Sequence, residues 1–221
     1  MRAAVFLSVL ALLPLSNSTQ PYAESKSEVV FSWAFVKQTP GGDLQALGSS
    51  GVSQIGPGDQ VKIFLEPVQN AFIYVFLHDA QNELHLLFPR RFEDLGNRDY
   101  TGQKYYLPEG EDWFVLDETQ GVEKFQLLAS AERFPKLEAL SKTYLDLKEK
   151  PKSPQDGIRI AMQKVLEEIT RIRQQHSKLV VLAEKPVSIA GGVRGQNAVV
   201  EELAIEIRAQ GFYSKTIRLE H

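Results

Sequence analysis

Apolar positions along this chain change their period near residue 135. Before that point they come in short runs of β-branched and aromatic residues, broken by Gly, Pro, Asn and Asp; after it they recur at helical spacing. VVFSWAF (29–35) is the first run, and KQTPGGD punctuates it. The glycine-rich connector GSSGVSQIGPGD (48–59) leads into QVKIFLEP (60–67). There Val61, Ile63 and Leu65 face one way and Lys62, Phe64 and Glu66 the other, which predicts one buried and one mixed face.

AFIYVFLHDAQNELHLLF (71–88) is read as a hairpin, and its register decides the placement of two histidines. A two-residue loop at Gln81-Asn82 would pair His78 with His85, a geometry able to hold a metal. A three-residue loop uses Asn82 in the left-handed region and Asp79 for a side-chain turn bond. It pairs Leu77 with His85 and His78 with Leu84, sending the rings to opposite faces. Asp79 and Asn82 both fit the second register, which is favoured.

Further strands are predicted at KYYLP (104–108), DWFVLD (112–117) and VEKFQLLAS (122–130). Leu137, Leu140, Tyr144 and Leu147 then mark a helix from Pro135 to before Pro151. A second helix opens at Ser153-Pro154, with the serine as cap and the proline in the first turn; its apolar face is Ile158, Met162, Val165, Ile169 and Ile172. KLVVLAEKPVSIA (178–190) returns to strand character, GGVRGQN (191–197) reads as a loop, and the charged tail after Phe212 suits an edge strand. His176 falls near the second helix's C-terminus, where a cation is favoured.

The fold class is therefore mainly β with helices (α+β): an antiparallel β-sandwich-like domain, two amphipathic helices and C-terminal strands. We divide the chain into a signal peptide (1–18), a β-sandwich-like domain (19–135), a helical pair packed on the sheet (136–176) and C-terminal strands completing the same domain (177–221).

The signal peptide rests on MRAAVFLSVLALLPLSNSTQ, with Arg2, an apolar run from Ala3 to Leu13, Pro14 and small residues at Ser16 and Ser18. It predicts a periplasmic or secreted protein with no stable transmembrane span after cleavage. Net charge is −3, and removing residues 1–18 takes away one arginine, giving 24 − 28 = −4. Such a balance argues against a nucleic-acid partner. The chain has no cysteine, which excludes disulfides, thiolate sites and a lipoprotein anchor.

Standard catalytic and nucleotide-binding signatures are absent, and no catalytic residue, metal site or cofactor is assigned. GPGD (56–59) and AGGVRG (190–195) lack the strand-to-helix setting of a phosphate loop. Glu109, Glu111 and Asp112 lack calcium-loop spacing and read as a solvated turn. One place remains for a ligand or partner, the lip formed by Phe88, Pro89, Arg90, Arg91 and Asn97. Arginine forks match carboxylates and phosphates; the favoured reading is nonetheless a rim salt-bridged to Glu93 and Asp94.

LLFPRRFEDLGN, GQKYYLPEG and GVEKFQLLAS together resemble the bacterial domain of unknown function 4384 family over roughly residues 58–135. The matching positions are Asp79, Leu87-Phe88-Pro89, Asn97, Gly102, Leu107-Pro108, Gly121, Glu123 and Ala129-Ser130. Arg90 stands where relatives often carry asparagine, and Asn82 where they often carry glycine. The resemblance implies an all-β module of exported or envelope proteins, without assigned catalytic residues. Three functions follow as expectations: a non-enzymatic binding or assembly module of the cell envelope, which is favoured and takes a protein or cell-envelope ligand; a hydrolase or metal-dependent enzyme using His78, His85 and Asp79; or a structural subunit of an envelope complex.

Overall fold

The computed structural model describes residues 27–48, 51–69, 71–96, 100–115, 120–179, 181–187 and 196–220. The expected signal peptide, the glycine-rich segment 190–195 and Asn97 lie outside the described residues.

Twelve strands form two sheets among the described residues. The first sheet runs β10 (Val181–Pro186), β11 (Ile205–Gln210), β1 (Glu28–Gln38), β4 (Gln60–Gln69) and β7 (Tyr105–Leu107). Short strands β2 (Leu44–Ala46) and β8 (Phe114–Val115) pair with β1 and β4. The second sheet runs β3 (Val52–Gln54), β12 (Phe212–Glu220), β9 (Val122–Ser130), β5 (Phe72–His78) and β6 (Leu84–Phe88). Pairing is antiparallel except between β3 and β12. The α+β, sandwich-like class read from the pattern is the class observed.

Alternation along each strand explains the layering. Phe31, Trp33 and Phe35 of β1 join the main core with residues of the second sheet. Phe35 meets Phe125 at 4.8 Å between ring centroids, and Phe31 meets Tyr213 at 5.5 Å. The other face of β1 and β4 is also covered. Ala34, Val36 and Phe64 pack with Val200 and Ala204, around the short helix α3 (Gln196–Glu202).

The far face of the second sheet carries the helical hairpin α1 (Pro135–Glu149) and α2 (Gln155–Gln175). Leu137 and Tyr144 of α1 and Met162, Val165, Ile169 and Ile172 of α2 are buried there, at the predicted spacing. The Tyr74 hydroxyl donates to Glu138 at 2.7 Å, and Arg133 holds the same carboxylate. Burial, then the bond to Glu138, pushes the Tyr74 phenol far above its ordinary pKa. Near the C-terminus of α2, Arg173 donates to Thr216 of β12 at 2.5 Å.

Four local expectations are corrected or refined. The second face of β4 is mixed but more covered than its composition implied: α3 and the Tyr106–Trp113 region bury Phe64 and even Lys62, while Glu66 stays partly exposed. Ser153 does not cap α2; Pro154 occupies the cap position with extended backbone, and no side chain bonds there. The segment read as a loop through residue 197 ends in α3, whose seven residues carry too few apolar positions for helical periodicity to register. The charged tail is not a bare edge. Residues Arg218–Glu220 pair with β3, drawn from the connector read only as loop.

Candidate functional site

Strands β7 and β6 lie at the margins of their respective sheets. Beside them opens a cleft of about 650 Å³. One wall is Leu87–Arg90, where β6 ends; the other is built from Tyr100 and the stretch Gln103–Gly110, with Phe114. Both walls turn at a proline, Pro89 and Pro108, each following a cis peptide bond.

The floor is aromatic. Phe88 meets Tyr105 edge-on at 4.8 Å and Tyr100 in a stacked arrangement at 6.2 Å. Tyr100 is fixed from behind, because its hydroxyl accepts the Ile73 N–H at 3.0 Å. Its burial raises the phenol pKa well above the ordinary value. Gly102, at φ 79°, donates its N–H to the Pro67 carbonyl and ties the incoming loop to β4.

Charges ring the mouth. Arg90 donates to Glu109 at 2.6 Å, joining the two walls, and both side chains are largely exposed. Arg91 turns away to Asp94 at 2.7 Å. The expected lip therefore divides. Phe88, Pro89 and Arg90 line the cleft, Arg91 belongs to the neighbouring 3-10 turn (Phe92–Asp94), and Asn97 is outside the described residues. The salt-bridged rim is present, with one partner corrected: Arg90 uses Glu109, nineteen positions on, instead of Glu93 or Asp94.

Behind the second wall lies a polar cluster that pattern reading missed. Lys62 donates to the carbonyls of Gly110 and Asp112, each at 2.7 Å, and sits over the rings of Tyr106 and Trp113. Burial lowers its pKa, opposed by Glu111 and Asp112. Glu201 of α3, nearly inaccessible, accepts from Tyr106 and pairs with Lys104. Desolvation first, then the Glu201 bond, raises the Tyr106 pKa; Glu66 nearby is raised chiefly by its own burial. The cluster holds the wall containing Lys104–Asp112 against β4 and α3. A lysine inside an otherwise apolar strand was the available signal.

The histidines do not converge. The hairpin adopts the three-residue loop, with His78 paired to Leu84, Leu77 to His85 and Asn82 at φ 62°. His78 contacts Asn82 at 2.8 Å, whereas His85 contacts Asp79 at 2.6 Å. His176 caps α2, its Nδ1 2.8 Å from the Ile172 carbonyl oxygen. Glu109, Glu111 and Asp112 form a turn tied to Arg90, Asn197 and Lys62 respectively.

Residues 54–133 match the family described as Domain of unknown function (DUF4384). This segment is similar to that family. It contributes β4 to β9, and hence both cleft walls and the hairpin. The residues that carried the resemblance fall at two ends of the domain. Phe88-Pro89, Gly102 and Leu107-Pro108 surround or support the cleft. Asp79, Gly121 and Glu123 meet at the hairpin tip, where Glu123 accepts the Ala80 N–H at 3.3 Å. No curated protein and no solved structure matches the chain. Among the described residues no helix is long and apolar enough to cross a membrane.

Proposed function

We propose that the protein is an exported binding module of the bacterial cell envelope, and that the cleft beside β6 and β7 receives its ligand. The observation carrying this reading is the cleft's aromatic floor, in which Tyr105 is partly exposed above the buried rings of Phe88 and Tyr100, rimmed by Arg90, Lys104 and Glu109. Rings offer flat apolar area with little side-chain entropy to lose, while a few charged groups set orientation. Such a lining suits a protein segment or envelope fragment with apolar and polar faces. Its residues stack and pair ions; they do not set a nucleophile beside a base. The export assignment rests on the N-terminal sequence pattern.

The test is a titration of the isotope-labelled chain with solubilised cell-envelope fragments, followed by amide shifts. Saturable shifts at Tyr100, Tyr105 and Phe114 are expected, lost in Tyr105→Ala. Arg90→Ala/Arg91→Ala should weaken binding through Arg90 while leaving thermal stability within roughly 0.5 kcal/mol, as expected for exposed pairs. Shifts confined to other surfaces, or unchanged affinity in Tyr105→Ala, would remove the cleft from the reading.

The enzymatic alternative on His78, His85 and Asp79 retains one contact, Asp79 with His85, since His78 faces the other side of the ribbon.

A further inference from the structure

The hairpin tip, at the opposite end of β6 from the cleft wall at Phe88–Arg90, holds three side chains of metal-ligating type. One donor atom each from Asp79, Glu83 and His85 lies within 4.8 Å of the other two. The geometry points to a divalent transition-metal site here, with zinc as the fitting ion.

Two donors are already set by the fold. Asp79 uses Oδ1 to accept the Glu83 N–H at 2.7 Å, which leaves Oδ2 directed at His85 Nε2, 2.6 Å away. The loop that achieves this is itself pinned. Asn82 takes the left-handed conformation, its N–H reaches the Asp79 carbonyl at 3.1 Å, and Asp79 N–H reaches the Glu83 carbonyl at 3.0 Å. Glu123 holds Ala80 from the neighbouring strand. An outer bond of the Asp79 type is what orients a ligating carboxylate.

The third donor sits at the surface. Glu83 is about half exposed and pairs with Lys148 from the last turn of α1 at 2.7 Å. An ion would draw this carboxylate inward and release the ammonium to solvent. Tetrahedral zinc bonds of about 2.0–2.2 Å to nitrogen and oxygen place neighbouring ligands roughly 3.3–3.6 Å apart, so Asp79 and His85, now at 2.6 Å, need to separate by about 1 Å or a little less. Two carboxylates neutralise the dication, and the exposed side leaves a position for water. One imidazole with two carboxylates favours a borderline first-row ion over calcium, which asks for six to eight oxygens.

The experiment uses the untagged chain, stripped with chelator and titrated calorimetrically with zinc chloride, with magnesium and calcium chlorides as comparisons. One equivalent should bind saturably and raise Tm, reversed by chelator. His85→Gln and Glu83→Gln should each weaken binding by about tenfold or more while circular dichroism is unchanged. His78→Gln, on the opposite face, should bind as the parent does. No stoichiometric zinc binding, or equal affinity in His85→Gln, overturns the proposal. The cleft and this site fail or succeed separately, since Tyr105→Ala leaves the hairpin ligands intact.

Discussion

Gly121 lies so close to Ala80 that a Cβ placed on the glycine would stand 2.6 Å from the alanine Cβ. The start of β9 therefore meets the hairpin tip with no room for a side chain, and the tip's Ala80 N–H reaches Glu123 two residues further on. Close approach, rather than an unusual φ, is what requires glycine here.

Gly121→Ala should accordingly destabilise the fold by ~1–3 kcal/mol, as overpacking does, lowering Tm by several degrees. Adding Ala80→Gly should restore much of the loss, because it removes the colliding methyl. Thermal melts of the two single variants and the double variant form a cycle. Equal Tm in Gly121→Ala and the parent would mean that the tip yields without cost.

Lys62 makes a second test. Lys62→Met keeps most of the buried volume but leaves the Gly110 and Asp112 carbonyls without their donor. A loss of ~1–3 kcal/mol is expected, the usual cost of orphaned acceptors. Hydrogen exchange should quicken at residues 110–114, the part of the cleft wall that the ammonium holds down. Uniform acceleration across all strands would instead indicate global destabilisation alone.

Acid sensitivity should be concentrated at Glu168. Its carboxylate is almost inaccessible, and Arg171 first, with Lys136 in support, holds its pKa down to about 2 against an ordinary 4.5. A depressed carboxylate stabilises fully above its unfolded value, and that contribution drains away as pH falls from about 4.5 toward about 2. Glu168→Gln should lose roughly 1–3 kcal/mol at pH 7, the lower part of the range applying because both cations are largely exposed. It should also show a shallower decline below pH 4.5. Urea melts from pH 7 to pH 3 would measure both, and parallel decline in the two proteins would assign the acid limb elsewhere.

What could be read without coordinates was what strong local chemistry dictates. β9 falls at Val122–Ser130 as predicted, because Gly121 punctuates its start and Phe125, Leu127 and Leu128 give it strand character. The hairpin register followed from Asp79 and Asn82, two residues whose side chains and backbone preferences allow few loop types. Tertiary pairings were not legible. Nothing local in Val52–Gln54 says that it joins β12 in parallel, and nothing in Arg90 names Glu109 across the cleft. The candidate site was half visible for the same reason: the lip is a contiguous string, whereas Tyr100, Tyr105 and Phe114 come to face Phe88 only when two sheet margins meet.

The pairing of β1 with β11 sets the order of events in biogenesis. Glu28 lies opposite Gln210, and the two are 210 − 28 = 182 positions apart. Contacts of such range form late, since the loop they close must be ordered before they contribute. While the ribosome is still adding residues beyond 200, β1 lacks one of its two long neighbours, and the second sheet lacks β12 between β9 and β3. The two sheets therefore stay short of their native state until β11 and β12 have been made.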